Sequence, residues 1–180
     1  ALQLRADYAE ALANRGIALR DLKRHADALE SLDRALQLRP DYAEAHYNLG
    51  IVLKLQGQLD DAAAAYAQAI RINPRLAEAY SNLGNTLTEL GKFDEAVAAH
   101  GQALRLKPDS AEMQFNLGTT LKEQDKLDDA ATAYAQAVRL KPDYAEVHGN
   151  LGIVLMGQGK LDEAITAYTQ VIDSYPGANS

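Results

Sequence analysis

An all-α fold built from stacked helical hairpins is predicted by three observations. Pro40, Pro74, Pro108, Pro142 and Pro176 stand 34 residues apart, so one short unit is copied along the chain. Small residues recur at fixed places between them: Gly16, Gly50, Gly84, Gly118 and Gly152, then Ala28, Ala62, Ala96, Ala130 and Ala164. Large apolar residues fall at helical spacing in two stretches of every copy. Such units lean on their neighbours rather than folding around one core.

Numbering each copy so that its proline is position 32 gives five units, 9–42, 43–76, 77–110, 111–144 and 145–178. In the first helix, positions 4, 7, 8 and 11 share one face. Leu49, Leu83, Leu117 and Leu151 hold position 7, with Arg15 as the exception, and Leu19, Leu53, Leu87, Leu121 and Leu155 hold position 11. Position 8 is the recurrent Gly, which costs about 0.5–1 kcal/mol in a helix interior; close approach of two helix backbones is the expected compensation. Gly57, Gly91 and Gly159 close the first helix as left-handed residues, with Lys23 and Asp125 standing in for Gly in copies one and four. Asp60, Asp94, Asp128 and Asp162 are placed to cap the second helix. Its face is formed by positions 17, 20, 21, 24, 27 and 28. The next unit opens on a capping-box variant, Asp41 to Glu44, Asp109 to Glu112 and Asp143 to Glu146, which Arg75 breaks before copy three.

This pattern resembles the tetratricopeptide repeat (TPR), with small residues at 8, 20 and 27, large apolar ones at 4, 7, 11 and 24, and Pro at 32. The match runs over nearly the whole chain. Position 4 departs from it, being Leu12, His46, Tyr80, Gln114 and His148 and never Trp, as does His100 at position 24. The resemblance implies an all-α right-handed superhelix of helix-turn-helix repeats whose concave groove is lined by the first helices. It also implies a protein-binding scaffold rather than an enzyme.

Residues 1–8 repeat the letters of 35–42 almost completely, so they read as the end of a second helix from a preceding copy. After Pro176 only four residues remain and no polar capping element follows. Tyr168, Val171 and Ile172 are then expected on a face meant for another unit, which makes end-to-end self-association an expectation.

Composition narrows the partners. The net charge of −7 argues against non-specific nucleic-acid binding. No run of about 18 apolar residues is present to span a membrane. The absence of Cys excludes disulfides and thiolate metal sites but leaves the compartment undecided, with the cytoplasm slightly favoured.

The most informative candidate site is position 6, which is Asn14, Asn48, Asn82, Asn116 and Asn150. Asn in a helix interior costs up to about 0.7 kcal/mol against Ala, so five in register need a reason. An amide offers a donor and an acceptor that match those of a peptide bond. A row of them could hold an extended peptide by its backbone, and the row resembles the Asn ladder of O-linked N-acetylglucosamine transferases. The structural alternative is that each amide bonds neighbouring helix backbone. Beside the row, Tyr47, Ser81 and Phe115 at position 5, Asn85 at position 9, and Lys54 and Lys122 at position 12 are candidate peptide contacts. Packing within the repeats is the alternative for the two aromatic residues. Glu10, Glu44, Glu78, Glu112 and Glu146 at position 2 suit the first turn of a helix. They would repel a carboxylate, and no basic residue occupies positions 2, 5 or 6. The clamp by which some repeats of this family hold the C-terminal carboxylate of heat-shock chaperones is therefore disfavoured.

No phosphate loop, nucleophile elbow or metal-binding helix motif is present. His46 and His148 read as packing residues, His25 as a turn residue, and His100 as a substitute for a core aromatic. No catalytic residue, cofactor or metal is assigned. The reading is a peptide-binding scaffold, with the recognition arm of a larger glycosyltransferase-like enzyme or a self-assembling module as alternatives.

Overall fold

The period of the sequence becomes an alternation of first and second helices. The computed structural model describes residues 2–174, with side chains from Asp7 onward. Pro176 lies outside the described residues. The chain divides into two compact units, Ala1–Gly91 and Lys92–Ser180.

The first unit holds α1 (Leu2–Asp21), α2 (His25–Leu38), α3 (Ala43–Leu55), α4 (Leu59–Ile72) and α5 (Ala77–Glu89). The second holds α6 (Phe93–Leu106), α7 (Ala111–Glu123), α8 (Leu127–Leu140), α9 (Ala145–Gly157) and α10 (Leu161–Asp173). Within each unit, successive helices pack as antiparallel neighbours joined by short turns. Leu2–Tyr8 run straight into α1 rather than turning before it. Ala6 stands where later copies carry the proline, so nothing there removes a helical N–H or restricts the preceding residue.

The first-helix C-termini follow the sequence reading closely. Gly57, Gly91 and Gly159 have φ of 76°, 72° and 75°, and Lys23 and Asp125 adopt 59° and 60°. At the end of α3, Gln58 N–H donates to Leu53 O at 3.0 Å and Gly57 N–H to Lys54 O at 2.9 Å. That pair of bonds is the Schellman arrangement. The same pair recurs after α1, α7 and α9.

The helix starts differ from expectation. The second helices begin at Leu59, Phe93, Leu127 and Leu161, with Gln58, Lys92, Lys126 and Lys160 as N-caps that make no side-chain cap bond. Asp60, Asp94, Asp128 and Asp162 therefore lie inside the first turn, where they meet the positive end of the helix dipole rather than the cap position. The first helices, by contrast, start one residue later than read where a cap was expected, at Tyr42, Ser110 and Tyr144 instead of Asp41, Asp109 and Asp143, and Leu76 is the N-cap of α5. Only Ser110 among these caps with its side chain, accepting from Met113 N–H at 3.3 Å. His25, read as a turn residue, is the first residue of α2.

At Gly50, Gly118 and Gly152 the recurrent glycine makes room for a side chain rather than for a second backbone, which corrects the expectation, while at Gly16 the Ala28 backbone oxygen also comes within 3.3 Å. A Cβ on Gly50, Gly118 or Gly152 would lie 2.7 Å from the ring of Tyr66, Tyr134 or Tyr168, and one on Gly16 would lie 2.8 Å from Cγ of Leu32. Position 8 is thus empty so that the large position-24 side chain of the same hairpin can lie across the first helix. Tyr66 and Tyr134 are 1% and 0% exposed there.

Candidate functional site

The flank of the first helices that carries position 6 is polar and already bonded in both units. In the first unit Asn48 is buried. Its Oδ1 accepts from Arg20 Nη1 at 2.9 Å and its Nδ2 donates to Glu44 O, one turn back, at 2.7 Å. In the second unit Asn150 repeats this: Oδ1 accepts from Lys122 Nζ at 3.0 Å and Nδ2 donates to Glu146 O at 3.0 Å. A cation at position 12 of one copy thereby reaches the amide at position 6 of the next. The amide in turn satisfies a carbonyl of its own helix, which offsets its poor helix propensity.

Each amide oxygen carries two lone pairs and each amide nitrogen two hydrogens. The bonds just named use one of each. Asn82 makes a different contact, donating from Nδ2 to the Tyr47 hydroxyl at 3.2 Å. Asn14 is exposed, and Asn116 is half-buried.

The neighbouring candidates are anchored as well. Tyr47 is half-buried, its ring 6.0 Å from that of Tyr66. Phe115 is half-buried between Tyr134 at 5.9 Å and Tyr144 at 5.5 Å. These separations suit tilted aromatic pairs, so each half-buried ring packs against its own repeat. Ser81 is buried and Asn85 half-buried. Lys54 pairs with Glu89 at 2.8 Å, and Lys122 also meets Glu123 at 3.8 Å. Arg20 holds Asp21 through two nitrogens at 2.9 and 2.8 Å. The reading of candidate residues missed Arg20. A basic residue at position 12 with an Asn 28 residues later occurs at Arg20, Lys54 and Lys122, but Lys54 pairs with Glu89 instead, so the pattern alone does not single out the bond.

The histidines at position 4 are packing residues, as read. Nε2 of His46 donates to Pro40 O at 2.9 Å, and Nε2 of His148 to Pro142 O at 2.7 Å. His100 takes the place of the position-24 aromatic and is fully buried, both ring nitrogens lacking a partner. Burial lowers its pKa to about 4. Burial, with lesser contributions from Tyr47 and Glu89, raises the Tyr66 phenol far above its ordinary range. Among the described residues no cluster of three or more His, Cys, Asp or Glu could hold a metal ion, and no helix is long and apolar enough to cross a membrane.

The family profile described as "TPR repeat" matches residues 16–57, 52–87 and 84–125, and that described as "Tetratricopeptide repeat" matches 115–179. The chain belongs to the tetratricopeptide repeat family. Its fold is the all-α helix-turn-helix repeat fold of TPR proteins. A crystal structure of MamA superposes with a TM-score of 0.84 at 23% identity, covering 88% of this chain and 93% of that one. MamA residues 41 to the end from Desulfovibrio magneticus RS-1 give 0.86 at 20% identity, covering 93% and 95%. YrrB, described as a TPR protein with an unusual peptide-binding site, gives 0.78 at 23% identity, covering 92% and 86%. At these identities the likeness is one of TPR fold. No curated protein sequence matches the chain. TPR membership makes the chain a protein-interaction scaffold.

Proposed function

We propose that this TPR scaffold binds an extended peptide segment along the position-6 flank of its first helices, within each unit, through the Asn amides. The observation that carries the reading is the paired geometry of Asn48 and Asn150. In both, one acceptor and one donor are fixed by a neighbouring cation and a helix carbonyl. The amide plane is thereby held in place, and each amide has a second lone pair and a second N–H that these bonds do not use, those of Asn150 on a half-buried side chain. Pre-organisation of this kind lowers the ordering cost of binding. Tyr47 and Phe115, each half-buried, supply apolar contact beside the amides, while Ser81, Asn85, Lys54 and Lys122 complete the polar surroundings. The peptide-binding site named for YrrB, a protein of the same fold, is consistent with this use.

A pull-down of a random peptide library by the full chain tests the proposal. Peptides recovered by the parent should bind Asn48→Ala/Asn82→Ala at least tenfold more weakly, with the helical circular-dichroism spectrum retained. Undiminished capture by a folded double variant would make the amides purely structural.

Self-association is a second reading, favoured by the outer face of α10. Ile165 is 64% exposed and Ile172 53%. Tyr168 and Val171 are half-buried there, whereas Tyr66 and Tyr134, at the position of Tyr168, are covered.

A further inference from the structure

On the side of the repeats away from the Asn flank, one hollow is built twice. In the first unit a cavity of about 370 Å³ lies between α2 and α4, over α3. In the second unit one of about 310 Å³ lies between α8 and α10, over α9. The two are made of corresponding residues 102 positions apart: His46 and His148 at one end, Leu49 and Leu53 or Leu151 and Leu155 as the floor, and Ala65 or Ala167 in the wall. The bond from each His to a proline carbonyl fixes the ring at the end of the hollow. These volumes fall at the lower end of the range for ligand-binding clefts, and suit one large side chain rather than a cofactor.

The rims are acidic. Asp33 and Asp61 line the first hollow, whose lining contains no Lys or Arg. Glu163 lines the second, and Lys160 enters only in the adjoining depression shared by Leu151 and Leu155. Partial burial raises the Asp33 pKa, so a cation beside its carboxylate would be welcome there.

We infer that these hollows are docking sites for a partner protein segment that inserts a large apolar side chain flanked by Lys or Arg, the first hollow being the more selective for charge. An apolar floor takes the side chain out of water, and uncompensated carboxylates at the rim choose its neighbours. Positions 4, 7 and 11 point about 130° around the first helix from position 6. The sites are therefore separate from the Asn flank and stand independently of the peptide-binding proposal.

The test uses the full chain and two peptides, acetyl-Lys-Phe-Lys-amide and acetyl-Glu-Phe-Glu-amide, with methyl NMR of Ala65 and Ala167 as the readout. The basic peptide is expected to shift both methyls saturably at millimolar concentration. At Ala65 the acidic peptide should bind at least tenfold more weakly, with a smaller difference at Ala167. Ala64→Leu should fill the first hollow and abolish the Ala65 response alone. Asp33→Asn with Asp61→Asn should bring the two peptides to equal affinity there. Ala64 is exposed, so the filled variant should keep its helical spectrum. The inference is overturned by no shift at several millimolar peptide, by equal affinities in the parent, or by an unchanged Ala65 response in Ala64→Leu. It is also overturned if Ala65 shifts with protein concentration alone, since the occupant is then a second copy of the chain.

Discussion

The ring of Tyr134 lies where a side chain on Gly118 would have to stand, 2.7 Å from the Cβ that an alanine would carry there. Tyr134 is fully buried, so its ring has no solvent side to retreat to. Gly118→Ala should therefore destabilise the second unit by about 1–3 kcal/mol despite the gain in helix propensity, because overpacking displaces a locked ring. Gly101 is also helical, but a Cβ there would meet nothing within 4 Å, and Gly101→Ala should stabilise by about 0.5–1 kcal/mol. Opposite signs from two glycines of one protein, read as urea midpoints, check the argument. A loss at both positions would contradict it.

Lys23 and Asp125 occupy the left-handed position that three other copies give to glycine, with φ of 59° and 60°. A side chain in that conformation costs about 1 kcal/mol or somewhat more, partly offset by the larger unfolded-state entropy of glycine. Lys23→Gly and Asp125→Gly should each raise stability by about 0.5–1 kcal/mol. Ala at the same positions should give no such gain, since it keeps the Cβ. Thermal melts of the four variants distinguish relief of strain from loss of charge.

How far the sequence was legible follows from which interactions repeat. The hairpin boundaries could be read because their causes are local: left-handed residues at Gly57, Gly91 and Gly159 end first helices wherever they occur. Second-helix starts were misread by two residues because Asp in a first turn and Asp at a cap look alike in sequence, and the carboxylates of Asp94 and Asp128 are engaged elsewhere. Gln124 and Gln158, a copy later, donate to them at 2.7 Å. The glycines were recognised as necessary, but their partner was not, because the ring of Tyr66 or Tyr134 reaches across the hairpin from 16 residues away. The Asn row was visible as a pattern. The bonds from Arg20 to Asn48 and from Lys122 to Asn150 were not, since they depend on how one copy stacks on the next.

His100 gives stability an acid-sensitive component. Its folded-state pKa is lowered from 6.5 to about 4 by burial. The unfolded chain takes up this proton as pH falls below about 6.5, whereas the folded chain resists until near 4. The stabilisation is therefore complete above pH 6.5 and lost progressively down to pH 4, by about 3 kcal/mol in all. Urea midpoints at pH 7 and pH 5 should show a fall in the parent that is smaller in His100→Phe, which has no proton to gain. An identical fall in both proteins would remove His100 as the cause.

The contact of Arg20 with Asn48 should behave as a buried acceptor needing a donor. Asn48 is 7% exposed. Arg20→Met keeps much of the side-chain bulk but leaves the amide oxygen without its cation, at a cost of about 1–3 kcal/mol. Arg20→Lys should recover most of this, because Lys122 performs the same service for Asn150 at 3.0 Å. Equal losses from Met and Lys, measured by chemical denaturation, would show that guanidinium packing rather than the hydrogen bond matters.

Self-association through α10 predicts a dependence on concentration that two surface charges remove. Leu161, Ile165 and Ile172 on α10 are 62%, 64% and 53% exposed. A contact from this face to a different face of a second copy is heterologous and so can extend into open chains rather than closing as a dimer. Sedimentation velocity of the full chain should show a mass that rises with concentration without settling at twice the monomer. Ile165→Glu with Ile172→Glu should hold it at the monomer with its helical spectrum unchanged, since both residues are exposed. A parent that stays monomeric to several hundred micromolar would rule out this use of the face.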